Sequence, residues 1–399
     1  MQVGVVGKPS VGKSTFFKAA TLAEAEIANY PFTTIKPNTG VGYVKVKCAE
    51  THFSVKCNPR EGFCIDGNRF IPVQMIDVAG LVPGAHEGLG MGNQFLDDLR
   101  QANALIHVID VAGTTNEKGE QVDAGSYDPA NDVKFLEEEI DFWYVGIMKR
   151  GWDKFAREIV QTKKVPRVAI AKQMSGLGVD EDMVDECMKK LGLDPEKIGQ
   201  WSEDDVLGLA VEFRKKTKPM IIACNKIDVP GGKENFERLK KMFPDYIMIP
   251  CSAESELALR EAAKHEIIRY IPGQKDFNIL HPEKLNERQS RALMFIKADI
   301  LDVFGSTGVQ DTIDRAVFEL LKCIAIFPGG LNKLEDSKGN VLPDCFLMPP
   351  GTTALDFAFR LHSDFGNKFI RAIDVKTRMT VGKDHLLKNC DVVEIVSGR

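Results

Sequence analysis

Residues 7–14 read Gly7-Lys8-Pro9-Ser10-Val11-Gly12-Lys13-Ser14, which fits the pattern G-x-x-x-x-G-K-[ST] and lies between an apolar run and a helical one. In such a loop the glycines let the backbone curl, so that its N–H groups point at a phosphate at the N-terminus of the next helix. Lys13 is then expected to reach the β and γ oxygens of a nucleotide. The sequence predicts nucleotide-binding residues at Gly7, Lys8, Pro9, Ser10, Val11, Gly12, Lys13, Ser14 and Thr15.

Five short apolar runs predict the sheet around this loop. They cover residues 3–6, 73–76, 104–109, 220–224 and 247–250. Runs that are apolar nearly throughout are typical of parallel strands buried on both faces. Helical patterns separate them, so the sequence predicts an α/β fold with a doubly wound, mostly parallel sheet.

The long interval between the third and fourth runs has helical patterning instead of strands, with amphipathic stretches over 132–150, 153–162 and 181–191. Further helix is predicted up to residue 321, and after it the strands become short and turn-rich. The predicted domains are a nucleotide-binding domain at 1–115 plus 217–275, a helical insertion at 116–216, a helical connector at 276–321 and a small C-terminal domain at 322–399.

Three further positions are expected to complete a magnesium and γ-phosphate site. Asp77 ends the second predicted strand, where its carboxylate can contact the water shell of the metal. The N–H of Gly80 can sense the γ-phosphate, and Thr34, between the loop and Asp77 in the sequence, can bind both groups. The prediction is that Ser14, Thr34 and Asp77 hold Mg²⁺, and that Lys13, Thr34 and Gly80 are the catalytic residues.

Two motifs at the ends of the last two predicted strands are expected to select the base. Asn225-Lys226-Ile227-Asp228 follows one strand and Cys251-Ser252-Ala253-Glu254 follows the next, and open α/β sheets bind ligands at strand ends. The Asp228 carboxylate can accept both the N1–H and the 2-amino group of guanine, a donor pair that adenine lacks. The sequence therefore predicts GTP or GDP as the ligand, with ATP as the alternative, bound through Asn225, Lys226, Asp228, Ser252, Ala253 and Glu254.

Taken together, these motifs resemble the Obg-related GTPases of the YchF type. The strings that carry the resemblance are G-K-P-S-V-G-K-S-T at 7–15, Y-P-F-T-T-I-K-P-N at 30–38, D-V-A-G-L-V-P-G-A-H at 77–86, N-K-I-D at 225–228 and C-S-A at 251–253. The strings P-P-G-T-T-A-L-D-F-A at 349–358 and K-N-C-D-V-V-E-I at 388–395 are similar to a TGS domain, a small ubiquitin-like β-grasp module. The resemblance implies a translation-associated GTPase whose partner is the ribosome, contacted through the helical insertion and the TGS domain.

The residue after Gly80 bears on the rate of hydrolysis. Leu81 stands where Ras-like enzymes place the glutamine that orients the attacking water, and a leucine side chain cannot hydrogen-bond water. The resemblance implies that other groups or a partner position the water, so slow intrinsic GTP hydrolysis is expected. A binding module that senses nucleotide with negligible turnover is the alternative.

Composition limits the other functions. The chain of 399 residues has a formal charge of −5, which argues against non-specific coating of nucleic acid. Nothing resembles a secretory signal and no apolar run approaches the roughly 20 residues of a membrane span, so a cytoplasmic protein is expected. A set of basic residues interleaves with Phe369 and Ile370 and forms either a solvated face or an RNA contact. These residues are Lys368, Arg371, Lys376, Arg378 and Lys383.

The nine cysteines, an odd number without a C-x-x-C pair, indicate mostly reduced and buried thiols. Cys48, His52, Cys57 and Cys64 include three of them, but the gaps of eight and six residues between these cysteines differ from common zinc spacing. A β-hairpin with Cys57 and Cys64 on facing strands, free or bridged, is favoured, and a zinc site is the alternative.

Overall fold

The structure is a computed structural model that describes residues 1–22, 38–78 and 98–398. The chain divides into two compact units, of which the first contains Met1–Lys13 and Ile76–Pro250 and the second contains Ser14–Met75 and Cys251–Arg399. In the described residues the strands are β1 (Gln2–Val6), β2 (Thr39–Lys47), β3 (Phe63–Ile65), β4 (Asn68–Asp77), β5 (Ala104–Asp110), β6 (Met220–Asn225), β7 (Ile247–Pro250), β8 (Ile268–Tyr270), β9 (Phe277–Ile279), β10 (Ile324–Pro328), β11 (Phe346–Met348), β12 (Phe369–Asp374), β13 (Met379–Val381) and β14 (Asp391–Ser397).

Helices account for most of the remaining regular structure. The α-helices are Lys13–Thr21, Glu50–Phe53, Ala130–Lys149, Trp152–Thr162, Pro166–Met174, Glu181–Leu191, Glu203–Thr217, Gly232–Met242, Ala253–Lys264, Glu287–Phe295, Asp302–Phe304, Val309–Arg315, Ala354–Leu361 and Ser363–Asn367. Short 3₁₀ helices cover Ser175–Leu177, Pro195–Gln200 and Pro282–Lys284, and π-helices cover Ile296–Leu301 and Ala316–Leu320. Among the described residues, no helix combines the length and the apolar character that a membrane span needs.

The first unit is built on a parallel sheet in which β1, β5, β6 and β7 lie side by side in that order. Val5 of β1 pairs with Ile106 of β5, and Ile106 pairs with Ile221 of β6. Every residue of β5 is buried, as expected for a parallel strand covered on both faces. The α/β class is confirmed, and so are the strands predicted over 3–6, 104–109, 220–224 and 247–250.

The helices that follow β5 in the first unit pack around a shared apolar core. The two longest, Ala130–Lys149 and Glu203–Thr217, pack directly against each other. The second begins at a capping box in which Ser202 and Asp205 exchange hydrogen bonds, and it ends in basic residues that complement the helix dipole. The sequence analysis did not single out this helix or Pro166–Met174, and the limits of the helical insertion stay a prediction.

The second unit contains a five-stranded mixed sheet in the order β11-β10-β14-β12-β13. β10 and β14 are parallel and the other neighbours are antiparallel. The helix Ala354–Leu361 packs on this sheet, where Phe357 is fully buried in a cluster with Ile326 and Val393. A mixed sheet with helical structure packed on it is the expected β-grasp arrangement, so the predicted C-terminal module is confirmed.

The segment predicted as a helical connector also contains a strand. β9 pairs antiparallel with β8, with Ile279 opposite Ile268. β9 is three residues long, which is too short to give the alternating pattern that identifies a strand in a sequence. Helical structure follows it at Glu287–Phe295, as predicted.

His107 in β5 is a buried histidine whose surroundings disfavour the protonated form of its ring. Its side chain is 2% exposed and its Nδ1 atom makes no hydrogen bond within the described residues. Burial, with the nearby Lys8 ammonium as the second cause, lowers the pKa of His107 from 6.5 to about 3. The unfolded chain therefore binds this proton at a higher pH than the folded protein does. Stability from His107 is complete above pH 6.5 and is lost as the pH falls from 6.5 towards 3.

We expect the substitution His107→Leu to make the free energy of unfolding less sensitive to acid. Between the two pKa values the wild-type histidine removes about 1.4 kcal/mol of stability for each pH unit, and leucine cannot take up a proton. Urea unfolding of both proteins at about pH 7 and about pH 5 measures the difference. The other titrating groups change the unfolding free energy equally in the two proteins, so their contribution cancels. An equal loss of unfolding free energy in both proteins between the two pH values would contradict the lowered pKa of His107.

Candidate functional site

The glycine-rich loop connects β1 to the helix Lys13–Thr21. The end of β4 lies beside β1, since the N–H that follows β4 at Val78 donates to the carbonyl oxygen of Val5 at 3.0 Å. A Cβ atom added at Gly7 would lie 2.5 Å from the carbonyl oxygen of Val108. The loop therefore passes too close to β5 to carry a side chain at Gly7.

Gly12 has a φ of +90°, and a Cβ atom added there would overlap the Nδ2 atom of Asn225. That amide donates to the carbonyl oxygen of Val11 at 2.9 Å and so joins the loop to the end of β6. We expect Gly12→Ala to displace Asn225 and to weaken GDP binding about 10- to 100-fold, which corresponds to about 1–3 kcal/mol of strain. Isothermal titration calorimetry measures the change.

Gly125→Ala is the matched control for this substitution. Gly125 has a φ of +79°, yet no atom of the described residues lies within 4 Å of an added Cβ atom. The control therefore carries similar backbone strain without a collision. Equal weakening of GDP binding in both variants would show that the contact of Gly12 with Asn225 is unimportant.

Lys13 and Asp77, which were predicted to contact phosphate and the metal shell, form an ion pair with each other. Lys13 is the first residue of its helix and Asp77 is the last residue of β4. Their side chains are 13% and 26% exposed, so both groups can be reached from solvent. Ser14 and Thr15 follow in the first helical turn, where Ser14 is exposed and Thr15 is half-buried.

The ammonium group of Lys8 is directed into the protein. Its Nζ atom donates to Asp132 Oδ1 at 2.8 Å and to the carbonyl oxygen of Thr115 at 2.9 Å. It also lies 3.8 Å from the centre of the Tyr127 ring. The side chains of Lys8 and Asp132 are only 3% and 4% exposed. The predicted part of Lys8 in nucleotide binding therefore depends on its backbone N–H.

A buried carboxylate that the sequence analysis did not identify holds the motif at the end of β6. Lys226 Nζ donates to Asp110 Oδ2 at 2.9 Å and to Thr114 Oγ1 at 3.0 Å. The same Asp110 oxygen accepts from the Thr114 and Thr115 hydroxyls at 2.6 and 3.0 Å. These bonds hold Lys226 at a φ of +63°, an unfavourable angle for a lysine. Asp228 is half-buried, and its carboxylate makes no hydrogen bond or ion pair with any residue that the structure describes.

The other base-selecting motif lies in the second unit, at the start of the helix Ala253–Lys264. Ser252 and Ala253 are buried and Glu254 is exposed. The N–H of Ser252 donates to the carbonyl oxygen of Thr307 at 2.9 Å, which fixes the backbone at this point. The motif is therefore placed at a strand end, as predicted.

Three predicted functional residues, Thr34, Gly80 and Leu81, lie outside the described residues, and their roles stay predictions. Of the remaining loop residues, Pro9 and Ser10 are exposed and Val11 is buried. Within the first unit the structure brings together Lys13 with Asp77 and Val11 with Asn225.

A glycine-rich loop that follows the first strand of a parallel sheet and opens a helix at a lysine is the phosphate site of P-loop nucleotide-binding proteins. The fold and this loop place the chain in that class. Family models agree: residues 2–138 match the model described as 50S ribosome-binding GTPase. Residues 223–329 match the Obg-like GTPase YGR210-like, G4 motif-containing domain, and residues 338–397 match the TGS domain. The chain belongs to the Obg-related, YchF-type GTP-binding proteins that carry a C-terminal TGS domain.

Individual relatives support this family. An uncharacterized GTP-binding protein of Methanocaldococcus jannaschii is 51% identical over 396 residues, which cover 99% of this chain and 98% of the relative. The ribosome-binding ATPase YchF of Haemophilus influenzae is 27% identical, covering 92% of this chain and 86% of the relative. The crystal structure of a GTP-binding protein from Pyrococcus horikoshii has 43% identity and a TM-score of 0.79 and covers 100% of both chains. The Schizosaccharomyces pombe YchF GTPase, at 20% identity and a TM-score of 0.56, covers 99% of this chain and 97% of its own and shares the fold.

Proposed function

We propose that this protein binds GTP together with Mg²⁺, hydrolyses it slowly to GDP and phosphate, and works as a ribosome-associated switch. The observation that carries the proposal is the ion pair of Lys13 and Asp77 beside the glycine-rich loop. An ammonium group and a carboxylate in contact at a strand end suit a ligand that brings phosphate charge and a divalent cation together. In the ligand complex the Lys13 ammonium would pair with phosphate instead of with Asp77. The Asp77 carboxylate would face the hydrated cation instead of Lys13.

The oxygen donors of the site fit Mg²⁺, which prefers hydroxyl, carboxylate and water ligands. The proposed metal-holding residues are Ser14, an exposed residue of the first helical turn, Asp77, through water, and Thr34. Bound Mg²⁺ would neutralise phosphate charge. The chain itself supplies the curled backbone N–H groups of the loop, which hold the phosphates, and the Lys13 ammonium, which stabilises charge on the transferred phosphoryl group. The proposed catalytic residues are Lys13, Thr34 and Gly80.

The carboxylate of Asp228, which pairs with none of the described residues, supports guanine as the preferred base. Lys226, two residues earlier, is fixed by Asp110, which limits the positions that Asp228 can take. A carboxylate held in this way can accept two adjacent donors of guanine, and leaving it unpaired against adenine costs binding energy. Relatives bearing ATPase names, among them the Haemophilus influenzae protein, make ATP the competing candidate.

The ribosomal part of the proposal is supported by relatives that are named ribosome-binding proteins and by charge in the C-terminal module. Lys368, Arg371, Arg378 and Lys383 are exposed there, and none forms an ion pair with a residue that the structure describes. Ile370 lies among them and is 61% exposed. Unpaired cations beside an apolar side chain suit contacts with RNA phosphates and bases.

Competition binding is the first test. Labelled GDP bound to the full chain with Mg²⁺ is displaced by GTP or by ATP. We expect GTP to act at a concentration at least about tenfold lower, since one hydrogen bond to a charged group is worth about 1.5 kcal/mol or more. If ATP bound as tightly as GTP or more tightly, the proposed substrate would be ATP instead of GTP.

Single-turnover hydrolysis is the second test, run with and without ribosomes. We expect slow phosphate release from the protein alone and faster release when ribosomes are present. No release under either condition would remove hydrolysis from the proposal and leave a module that senses nucleotide by binding alone.

A further inference from the structure

Three cysteines and a glutamate meet in the second unit, away from the glycine-rich loop in the sequence. The Sγ atoms of Cys48, Cys57 and Cys64 and a carboxylate oxygen of Glu50 all lie within 4.8 Å of one another. Cys48 and Cys57 are buried, at 1% and 7% exposure, and the other two are half-buried. The four groups come from the end of β2, a short helix, a loop and β3.

The hairpin predicted for these cysteines is wrong. Cys64 on β3 faces Arg69 on β4, whereas Cys57 lies in the irregular segment before β3. All nine cysteines are free. The Sγ atoms of Cys48 and Cys57 are 3.7 Å apart, well beyond the disulfide length of about 2.05 Å. In a tetrahedral site with Zn–S bonds of about 2.3 Å, sulfur atoms lie about 3.8 Å apart, which matches this separation.

The carboxylate of Glu50 is held with one oxygen directed at the thiols. Its Oε2 atom accepts the N–H of Cys57 at 2.8 Å. Its Oε1 atom accepts from the Cys64 thiol at 3.1 Å. Oxygen ligands that are positioned by a second hydrogen bond are typical of protein metal sites. Glu50 therefore offers Oε1 as a fourth donor without giving up its bond to the backbone.

Arg69 provides an independent indication that negative charge belongs here. Its side chain is 1% exposed, and its Nε and Nη1 atoms make no hydrogen bond within the described residues. Its Nη2 atom donates to the carbonyl oxygen of Leu342 at 2.6 Å. A buried guanidinium without a carboxylate partner is costly unless an anion lies close to it. Thiolates bound to a metal would be that anion.

We propose that Cys48, Cys57, Cys64 and Glu50 bind a structural Zn²⁺ ion. Three thiolates and one carboxylate give a closed, four-coordinate set that suits zinc, and binding releases the thiol protons to solvent. A cavity of about 460 Å³ borders the group at Cys48. The sequence indicates the three cysteines only as an alternative zinc set, because they contain no C-x-x-C pair, and it does not indicate Glu50.

The site would fasten a segment that contacts the C-terminal module. Just after Cys57, the N–H of Asn58 donates to the carbonyl oxygen of Val341 at 3.0 Å. The N–H of Arg60 donates to the carbonyl oxygen of Pro343 at 2.9 Å. Removal of zinc with a chelator should therefore raise amide hydrogen exchange in residues 54–62 of the full chain. Unchanged exchange there would overturn the structural role of the ion.

Metal content of the full chain tests the site directly. We expect about one zinc per chain by elemental analysis, and replacement by Co²⁺ should give sulfur-to-cobalt charge-transfer absorption. Cys48→Ser and Cys64→Ser should lose the metal, and Glu50→Gln should weaken zinc affinity at least about tenfold in a chelator competition. Cys323→Ser, in the same unit but outside the group, should retain zinc.

Several results would overturn the proposal. One is folded wild-type protein with neither zinc nor cobalt charge-transfer absorption, a measurement that does not depend on any variant folding. Another is a mass two hydrogens below the reduced value in non-reducing conditions, which would reveal a disulfide. Loss of zinc from Cys323→Ser, or full affinity in Glu50→Gln, would contradict the assigned ligands.

Discussion

Replacing Lys13 by alanine is expected to lower the single-turnover rate of GTP hydrolysis by about 10²- to 10³-fold. The lysine is the cation beside the glycine-rich loop, where it is ion-paired with Asp77. In the proposed reaction its ammonium group stabilises charge on the transferred phosphoryl oxygens, and alanine offers nothing in its place. Rapid-quench measurement of phosphate release at saturating GTP separates this loss from weaker binding.

Lys18→Ala is the matched control for Lys13→Ala. Lys18 lies in the same helix, is 62% exposed, and forms a loose ion pair with Glu261 at 3.5 Å. The control makes the same chemical change at an exposed position, where ion pairs contribute little. A similar rate for Lys13→Ala and for the control would contradict the assignment of Lys13.

The second large effect is expected from Asp228→Asn, which should reverse the preference between guanine and xanthine nucleotides. The carboxylate accepts two donors of guanine, whereas an amide can donate to the oxygen that xanthine carries at the same position. We expect GTP to lose at least about tenfold in affinity and XTP to gain by a similar factor, because each lost charged hydrogen bond costs about 1.5 kcal/mol or more. Competition binding against labelled GDP gives both values.

Asp245→Asn is the control for this change of base. Asp245 is exposed and belongs to the same unit, so the substitution removes the same charge elsewhere. We expect its GTP affinity to match the wild type. Unchanged selectivity in Asp228→Asn would mean that another group reads the base.

The features that depend on short stretches of chain were predictable. Residues 7–14 contain the glycines that let the loop curve and the lysine at which the following helix begins, so this short stretch predicts both features. The parallel strands could be found because strands buried on two faces are apolar throughout. Asp77 ends β4, and the motif that contains Asp228 begins at the last residue of β6, so their placement at strand ends followed from the runs themselves.

The supporting residues depend on partners that are distant in sequence. Asp110 holds Lys226 across 116 positions, and Asp132 holds Lys8 across 124 positions. No local pattern predicts that these two carboxylates are buried. Asp110 does end β5 as Asp77 ends β4, and this shared position at a strand end could have identified it as a candidate. A zinc site at the cysteines was predicted only as the alternative, because their spacing differs from the common zinc loops, and Glu50 was not among the candidates.

The buried ion pair of Lys8 and Asp132 couples two parts of the first unit. Lys8 belongs to the glycine-rich loop, and Asp132 lies in the first turn of the long helix Ala130–Lys149. Pulling them apart would strand a charge in the interior, at a cost of about 3–5 kcal/mol. A partner that rotated this helix would have to carry the loop with it. By reciprocity, a ligand that changed the conformation of the loop would change the affinity for such a partner by the same factor as the partner changes the affinity for the ligand.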